Sequence, residues 1–256
     1  MDDYIHICKC RYTQGNRPIC GIYSLINGCE TYKNKNFKCG KKSNRNIKDV
    51  VNDLWKHAIN GNFNSLIGEF FSSEDLKKFI NSEKTQSILK LESLSAEALT
   101  ITDFKNILHD SIKNIENGYF FIVPIYSTPD SKKLKKNEVA NNMHWICLYK
   151  KKNKFYIKNS ANYKPIKRAL KYSGVICKFR WAMTLNKLEI LLATINEELA
   201  ESDKFFNMRG YVKGNKNIKQ FGILTTRISE ILKANEESAK KSFAKSRFNP
   251  ILVTVR

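Results

Sequence analysis

The chain has 256 residues, of which 42% are hydrophobic and 11% aromatic, and its formal net charge at pH 7 is +21. This apolar content excludes a chain that is disordered throughout and favours one domain over residues 1–256. No stretch approaches about 18 consecutive apolar residues, and the first residues lack a basic start followed by an apolar run. Neither a transmembrane helix nor a signal peptide is therefore predicted, and the expected location is the cytoplasm.

The positive charge bears on partners rather than on the fold. With 45 Lys and Arg against 24 Asp and Glu, the chain should attract acidic molecules such as an acidic protein, nucleic acid or an anionic membrane. The lysines are spread along the chain and often lie beside asparagines, as in Lys150–Lys154 and Lys213–Lys219. This spread is typical of a solvated surface, so a nucleic-acid partner rests on charge alone, without a binding motif.

The cysteines form an odd set without the paired spacing of a secreted scaffold: Cys8, Cys10, Cys20, Cys29, Cys39, Cys147 and Cys177. Free thiols are therefore predicted. Cys8 and Cys10 are too close for the usual zinc-binding pair, and no nearby pair completes four ligands, so no metal is predicted. Cys29, Cys147 and Cys177 have apolar neighbours and are interpreted as buried structural thiols.

Helical patterns dominate the first part of the chain. Residues 1–17 are predicted to be extended, and a helix follows with Asn16 as N-cap, Pro18 in its first turn and an end near Gly28. Residues 46–116 show helical periodicity, with a helix start at Thr102 and Asp103. These patterns predict a helical lobe over about 16–116.

Strand patterns replace the helical ones in the second part. Strands are predicted at 119–126, 144–149, 154–158 and 175–181, which form a sheet lobe over about 118–181. From about 186 to 256, helices at 188–200 and about 225–244 precede a last strand at 251–255. The predicted fold class is α+β, with a helical N-terminal half packed on a largely antiparallel sheet and extra C-terminal helices.

The strongest local motif is a polar loop at residues 14–21. It places Cys20 in the first turn of the predicted helix. A thiol at this place faces the positive end of the helix dipole and unpaired backbone N–H groups. Both stabilise the thiolate, so a lowered pKa is predicted for Cys20. Cys20 is therefore the candidate nucleophile.

His144 and Asn159 are the candidates for the base and its orienting group. His144 begins one predicted strand and Asn159 follows the next. A hairpin at 150–153 would make these strands antiparallel and the two residues neighbours. The Asn159 amide oxygen can then accept the imidazole N–H and leave the other nitrogen for the thiol.

These residues resemble the papain-like cysteine peptidases, including the type that processes bacteriocin leaders. The chain differs from papain at Arg17, Gly21 and Ala161, and Asn159 stands where the leader-processing type usually has Asp. The resemblance implies a papain-like catalytic domain in which Gln14 and the Cys20 N–H form the oxyanion hole. The matching positions are Gln14, Cys20-Gly21, His144-Trp145 and Asn159-Ser160.

Three functions remain open on this reasoning. The first is hydrolysis of peptide or isopeptide bonds through an acyl-enzyme on Cys20, with no cofactor and with Gly15, Asn142 and Trp145 as predicted substrate-binding residues. The second uses the same residues in a deamidase, transglutaminase or acyltransferase, as in a toxin or effector. The third is a basic nucleic-acid-binding protein without catalysis. Product masses would separate the first two, and salt-dependent binding would reveal the third.

Overall fold

The computed structural model describes residues 4–8, 19–33, 47–65, 68–70, 72–110, 112–126, 143–152, 154–160, 182–184 and 249–256. Several predictions made from the sequence lie outside these residues: the roles of Gln14, Gly15, Asn16, Pro18, Asn142 and Cys177, the strand at 175–181, and the helices at 188–200 and 225–244.

Seven strands form one sheet in the described residues. They are β1 (Tyr4–Cys8), β2 (Leu94–Ala98), β3 (Tyr119–Tyr126), β4 (Met143–Lys151), β5 (Lys154–Lys158), β6 (Ala182–Thr184) and β7 (Ile251–Val255). Their spatial order is β2-β7-β3-β4-β5-β1-β6. Every neighbouring pair is antiparallel except β1 and β5, which are parallel.

In the part of the chain that the structure describes, five α-helices accompany the sheet: α1 (Cys20–Lys33), α2 (Ile47–Asn60), α3 (Ser73–Ile80), α4 (Glu83–Leu89) and α5 (Ile101–His109). Helices α1 to α4 contribute to a core that includes Trp145, Cys147 and Val253 of the sheet. Helix α5 packs through Phe104 and Leu108 in a second core with alternate sheet residues. Successive strand residues point to opposite faces, so the sheet separates the two cores. The predicted α+β class with a largely antiparallel sheet is confirmed.

Side-chain caps explain where the short helices begin. The N-cap hydroxyls of α3, α4 and α5 each accept a backbone N–H from three residues further on: Ser72 from Asp75, Ser82 from Thr85, and Thr100 from Asp103. This contact satisfies one of the donors that a helix start leaves open. Helix α5 therefore begins just before the predicted start at Thr102 and Asp103.

Helix α1 does not end near Gly28 as predicted, but continues to Lys33. Glycine usually weakens a helix because it carries no side chain. At this position a Cβ would collide with the ring of Phe120 on β3. Gly28 is thus a close-packing position between helix and sheet rather than a helix stop.

The sheet extends beyond the predicted sheet lobe of 118–181. β2 lies within the predicted helical lobe, and it pairs with β7 from Leu94–Val255 to Ala98–Ile251. The backbone of Ala96 also makes two hydrogen bonds with the Asn81 side chain, of 3.0 and 2.6 Å. These bonds occupy part of the β2 edge. The predicted division into a helical lobe and a sheet lobe is therefore wrong for residues 94–98.

The β4–β5 hairpin confirms the antiparallel pairing predicted around 150–153. Cys147 lies opposite Lys158, and Lys151 lies opposite Lys154. Lys152 in the connection has a φ of +46°, the left-handed conformation common in tight turns. None of the helices among the described residues has the length and apolar character needed to cross a membrane.

Candidate active site

Cys20 lies at the first position of α1, and 3% of its surface is exposed. Three backbone N–H groups approach its thiol, namely those of Cys20 itself, Gly21 and Trp145. The first two belong to the helix start, where N–H groups have no partner within the helix. The third belongs to β4, so the thiol lies beside the residue that follows His144.

Helix α1 is joined to β4 at this point by a second contact. The hydroxyl of Ser24, one turn after Cys20, donates to the backbone carbonyl of Trp145 at 2.9 Å. The Trp145 indole N–H donates to the carbonyl of Phe70 at 3.1 Å. Trp145 is 2% exposed and belongs to the core. It fixes the helix start against the strand, and its role in substrate binding stays a prediction.

His144 and Asn159 are hydrogen-bonded, with 2.7 Å between the imidazole Nε2 and the amide Oδ1. The β4–β5 hairpin produces this contact, because Asn159 directly follows β5 and His144 lies at the start of β4. An amide oxygen can only accept, so Nε2 carries the proton. Nδ1 is then the nitrogen that can take a proton from a thiol.

The predicted lowering of the Cys20 pKa is wrong for this structure. Burial raises the pKa of the thiol to about 12, and the carboxylate of Glu69 acts in the same direction. The three backbone N–H groups oppose the rise but do not outweigh it. The helix start favours the thiolate, as expected, yet the loss of water around a buried sulfur costs more.

Burial acts on His144 in the opposite sense. Only 8% of the residue is exposed, and burial lowers its pKa to about 4, while the hydrogen bond to Asn159 raises it. A charged imidazolium is the form that burial disfavours. Between about pH 4 and 12 both groups are thus neutral at rest. A neutral imidazole is the form that can accept a proton.

Glu69 is a site residue that the sequence did not reveal. It lies between α2 and α3, is 7% exposed, and influences the Cys20 thiol through its charge. No local spacing relates Glu69 to Cys20, since their proximity depends on how segment 68–70 packs against the start of α1. Ser24 was also missed, although its helical spacing from Cys20 places both on one face of α1.

Cys29 and Cys147 are in no disulfide and are buried in the core, as predicted from their apolar neighbours. Within the described segments no group of three or more His, Cys, Asp or Glu side chains could hold a metal ion.

No protein family, curated protein or solved structure matches this chain.

Proposed function

We propose that this protein is a papain-like cysteine peptidase that hydrolyses a peptide or isopeptide bond through an acyl-enzyme on Cys20. One arrangement carries the proposal: the Cys20 thiol contacts the N–H of Trp145, and the preceding residue, His144, is hydrogen-bonded to Asn159. Nucleophile, base and orienting group thus occupy a helix start and a rigid hairpin. This is the constellation that thiol-dependent acyl transfer requires.

The first step forms the acyl-enzyme. The Cys20 sulfur bonds to the substrate carbonyl carbon while its proton passes to Nδ1 of His144, and the carbonyl oxygen becomes an oxyanion. The carbon–nitrogen bond then breaks, and His144 returns the proton to the departing amine. The hydrogen bond at Nε2 keeps the imidazole oriented during both transfers. Backbone N–H groups at the start of α1 would stabilise the oxyanion, and Gln14 remains a predicted second donor.

Water completes the cycle. His144 takes a proton from water as the hydroxyl adds to the acyl carbon, and the carbon–sulfur bond then breaks to release the acid. The proton returns to the sulfur. A neutral Cys20 thiol beside a neutral His144 imidazole suits these reaction steps. Charge then develops only when the substrate is present and has displaced water.

Product masses test the proposal directly. The protein should be incubated with mixed peptides and folded proteins, including acidic ones that a charge of +21 would attract. Hydrolysis should yield two fragments whose summed mass exceeds that of the substrate by one water. An unbroken substrate that gains about one mass unit would indicate deamidation instead, and a larger gain would indicate acyl transfer. No change in any substrate, with only salt-sensitive nucleic-acid binding, would overturn the proposal.

The pH profile of kcat/KM should have its acid limb near pH 4. His144 accepts a proton only when it is neutral, so activity should fall as the pH drops through the lowered pKa of about 4. Asn159→Ala should move this limb to lower pH, because the hydrogen bond that it removes raises the His144 pKa. It should also lower kcat by about 10²-fold through loss of orientation.

His57→Ala is the matched control for this profile. His57 bonds to Ser82 at 2.9 Å, on the helices rather than at the hairpin. Its replacement should leave the acid limb unchanged. An acid limb near pH 6.5 in the wild type and in Asn159→Ala alike would contradict the assignment of His144 as a buried base.

A further inference from the structure

A buried hydrogen bond joins the first turns of α1 to β4. The Ser24 hydroxyl donates to the backbone carbonyl of Trp145 at 2.9 Å, and the two residues are 1% and 2% exposed. Pro124 lies opposite Trp145 on β3, and a proline has no N–H with which to pair that carbonyl across the sheet. Ser24 therefore supplies a donor that β3 does not provide at this position.

This bond lies close to the nucleophile along one element and close to the base along the other. Cys20 is four residues before Ser24 on α1, so the two share a face of the helix and are about 6 Å apart along its axis. His144 directly precedes Trp145 on β4, with about 3.8 Å between their Cα atoms. A displacement at the bond is therefore passed on to the backbones of Cys20 and His144.

The start of α1 also packs against an apolar side chain that is itself tied to β4. A Cβ placed on Gly21, the residue after Cys20, would lie 3.4 Å from the Phe70 ring. The Phe70 carbonyl accepts the Trp145 indole N–H at 3.1 Å. Apolar packing has no preferred direction, whereas a hydrogen bond does. The Ser24 bond is thus the contact suited to fix where α1 lies along β4.

On the basis of the peptidase function proposed above, we propose that Ser24 is a positioning residue, whose hydrogen bond to Trp145 fixes the position of α1 along β4. The nucleophile and the base, Cys20 and His144, are thereby held within proton-transfer distance of each other. A misplacement of about 1 Å between reacting groups can cost about 10²-fold in rate. The cost of losing the bond falls on kcat rather than on KM, because substrate binding does not require the thiol and the imidazole to be aligned.

Ser24→Ala should lower kcat for a cleaved peptide by about 10- to 100-fold and leave KM within about threefold of wild type. The substitution removes only the hydroxyl, so the proposed nucleophile, base and orienting group all remain. Ser24→Thr keeps a hydroxyl and should retain more of kcat than Ser24→Ala. Initial rates over a range of peptide concentrations give both constants. An unchanged kcat in Ser24→Ala, or a loss confined to KM, would overturn the inference.

Thr31→Val is the matched control, because it removes a helix–sheet hydroxyl contact from the other end of α1. The Lys158 ammonium of β5 donates to the Thr31 hydroxyl at 2.6 Å, and Thr31 is roughly 16 Å along the helix from Cys20. Both variants should lower the melting temperature, but Thr31→Val should keep kcat within about threefold of wild type. Equal losses of kcat in the two variants would overturn the inference, and so would a Ser24→Ala chain that fails to fold while Thr31→Val folds.

A double-mutant cycle tests the coupling to the base without a substrate. Limiting iodoacetamide alkylates Cys20 as the sulfur displaces iodide and the thiol proton passes to His144, and mass mapping identifies the modified residue. The rate should fall in Ser24→Ala and in His144→Ala. The double variant should react at the rate of His144→Ala alone, within about twofold, because both substitutions disrupt the same proton transfer. Losses that multiply in the double variant would show independent effects and overturn the inference.

The two kinds of measurement separate this inference from the proposed function. Absence of any cleaved product in the wild type would count against the peptidase, whereas the alkylation rates would still show whether Ser24 is coupled to His144. Cleavage with an unchanged kcat in Ser24→Ala would leave the peptidase function in place and overturn the positioning role.

Discussion

Cys20→Ala should lower kcat/KM for any cleaved substrate by about 10⁴-fold or more, because it removes the sulfur that would carry the acyl group in the proposed mechanism. The fold should persist, since the substitution makes no larger side chain and leaves the start of α1 and the Ser24 contact to Trp145 in place. Initial rates with a fluorogenic peptide, together with circular dichroism, would check both parts.

Cys147→Ala and Cys29→Ala are the matched controls. Neither thiol is in a disulfide and both are as buried as Cys20, but neither lies at the start of α1: Cys29 is in the body of that helix and Cys147 is in β4. We expect each variant to lose stability through a small cavity while keeping kcat/KM within about threefold of wild type. A Cys20→Ala enzyme that retains a tenth of the wild-type activity would show that another group is the nucleophile.

Removal of residues 251–256 should prevent folding. β7 is an internal strand of the sheet, because it lies between β2 and β3 and pairs with both. Ile251, Val253 and Val255 are fully buried, and each contributes about 1.5 to 3 kcal/mol by burial. The loss approaches the total stability of a typical domain, about 5 to 15 kcal/mol. Circular dichroism and size-exclusion chromatography would reveal an expanded chain.

Single substitutions in β7 separate side-chain burial from loss of the strand. Ile251→Ala should lower the free energy of unfolding by about 2 to 5 kcal/mol, as expected for a cavity in the core. Thr254→Ser, at a partly exposed position of the same strand, should change it by less than about 0.5 kcal/mol. A cooperative melt at the wild-type temperature after removal of 251–256 would contradict the central position of β7.

The candidate site combines a thiol at a helix start with strong burial, and burial determines its resting state. Helix-start N–H groups alone would favour the thiolate, but Cys20 has lost most of its contact with water. The same loss keeps His144 neutral. In the proposed mechanism, proton transfer between them therefore takes place during the reaction itself.

The sequence by itself determined the parts of the protein that depend on near neighbours. The alternation of residues 154–158 and the short polar connection before them were enough to predict the β4–β5 hairpin. That hairpin brings His144 and Asn159 together, so their contact could be predicted too. Cys20 at a helix start and the last strand at 251–255 were likewise visible in local patterns.

Only the tertiary structure decided the features that depend on distant parts of the chain. β2 is a strand because β7 pairs with it, although its sequence Leu-Ser-Ala-Glu-Ala has weak strand propensity. Gly28 continues α1 because the Phe120 ring occupies the space of its missing side chain. The Cys20 pKa rises because the surrounding elements bury the thiol, and the charge of Glu69 acts on it although the two residues are far apart in the sequence. Local patterns carry no information on such contacts, since they record periodicity along the chain and not which surfaces meet.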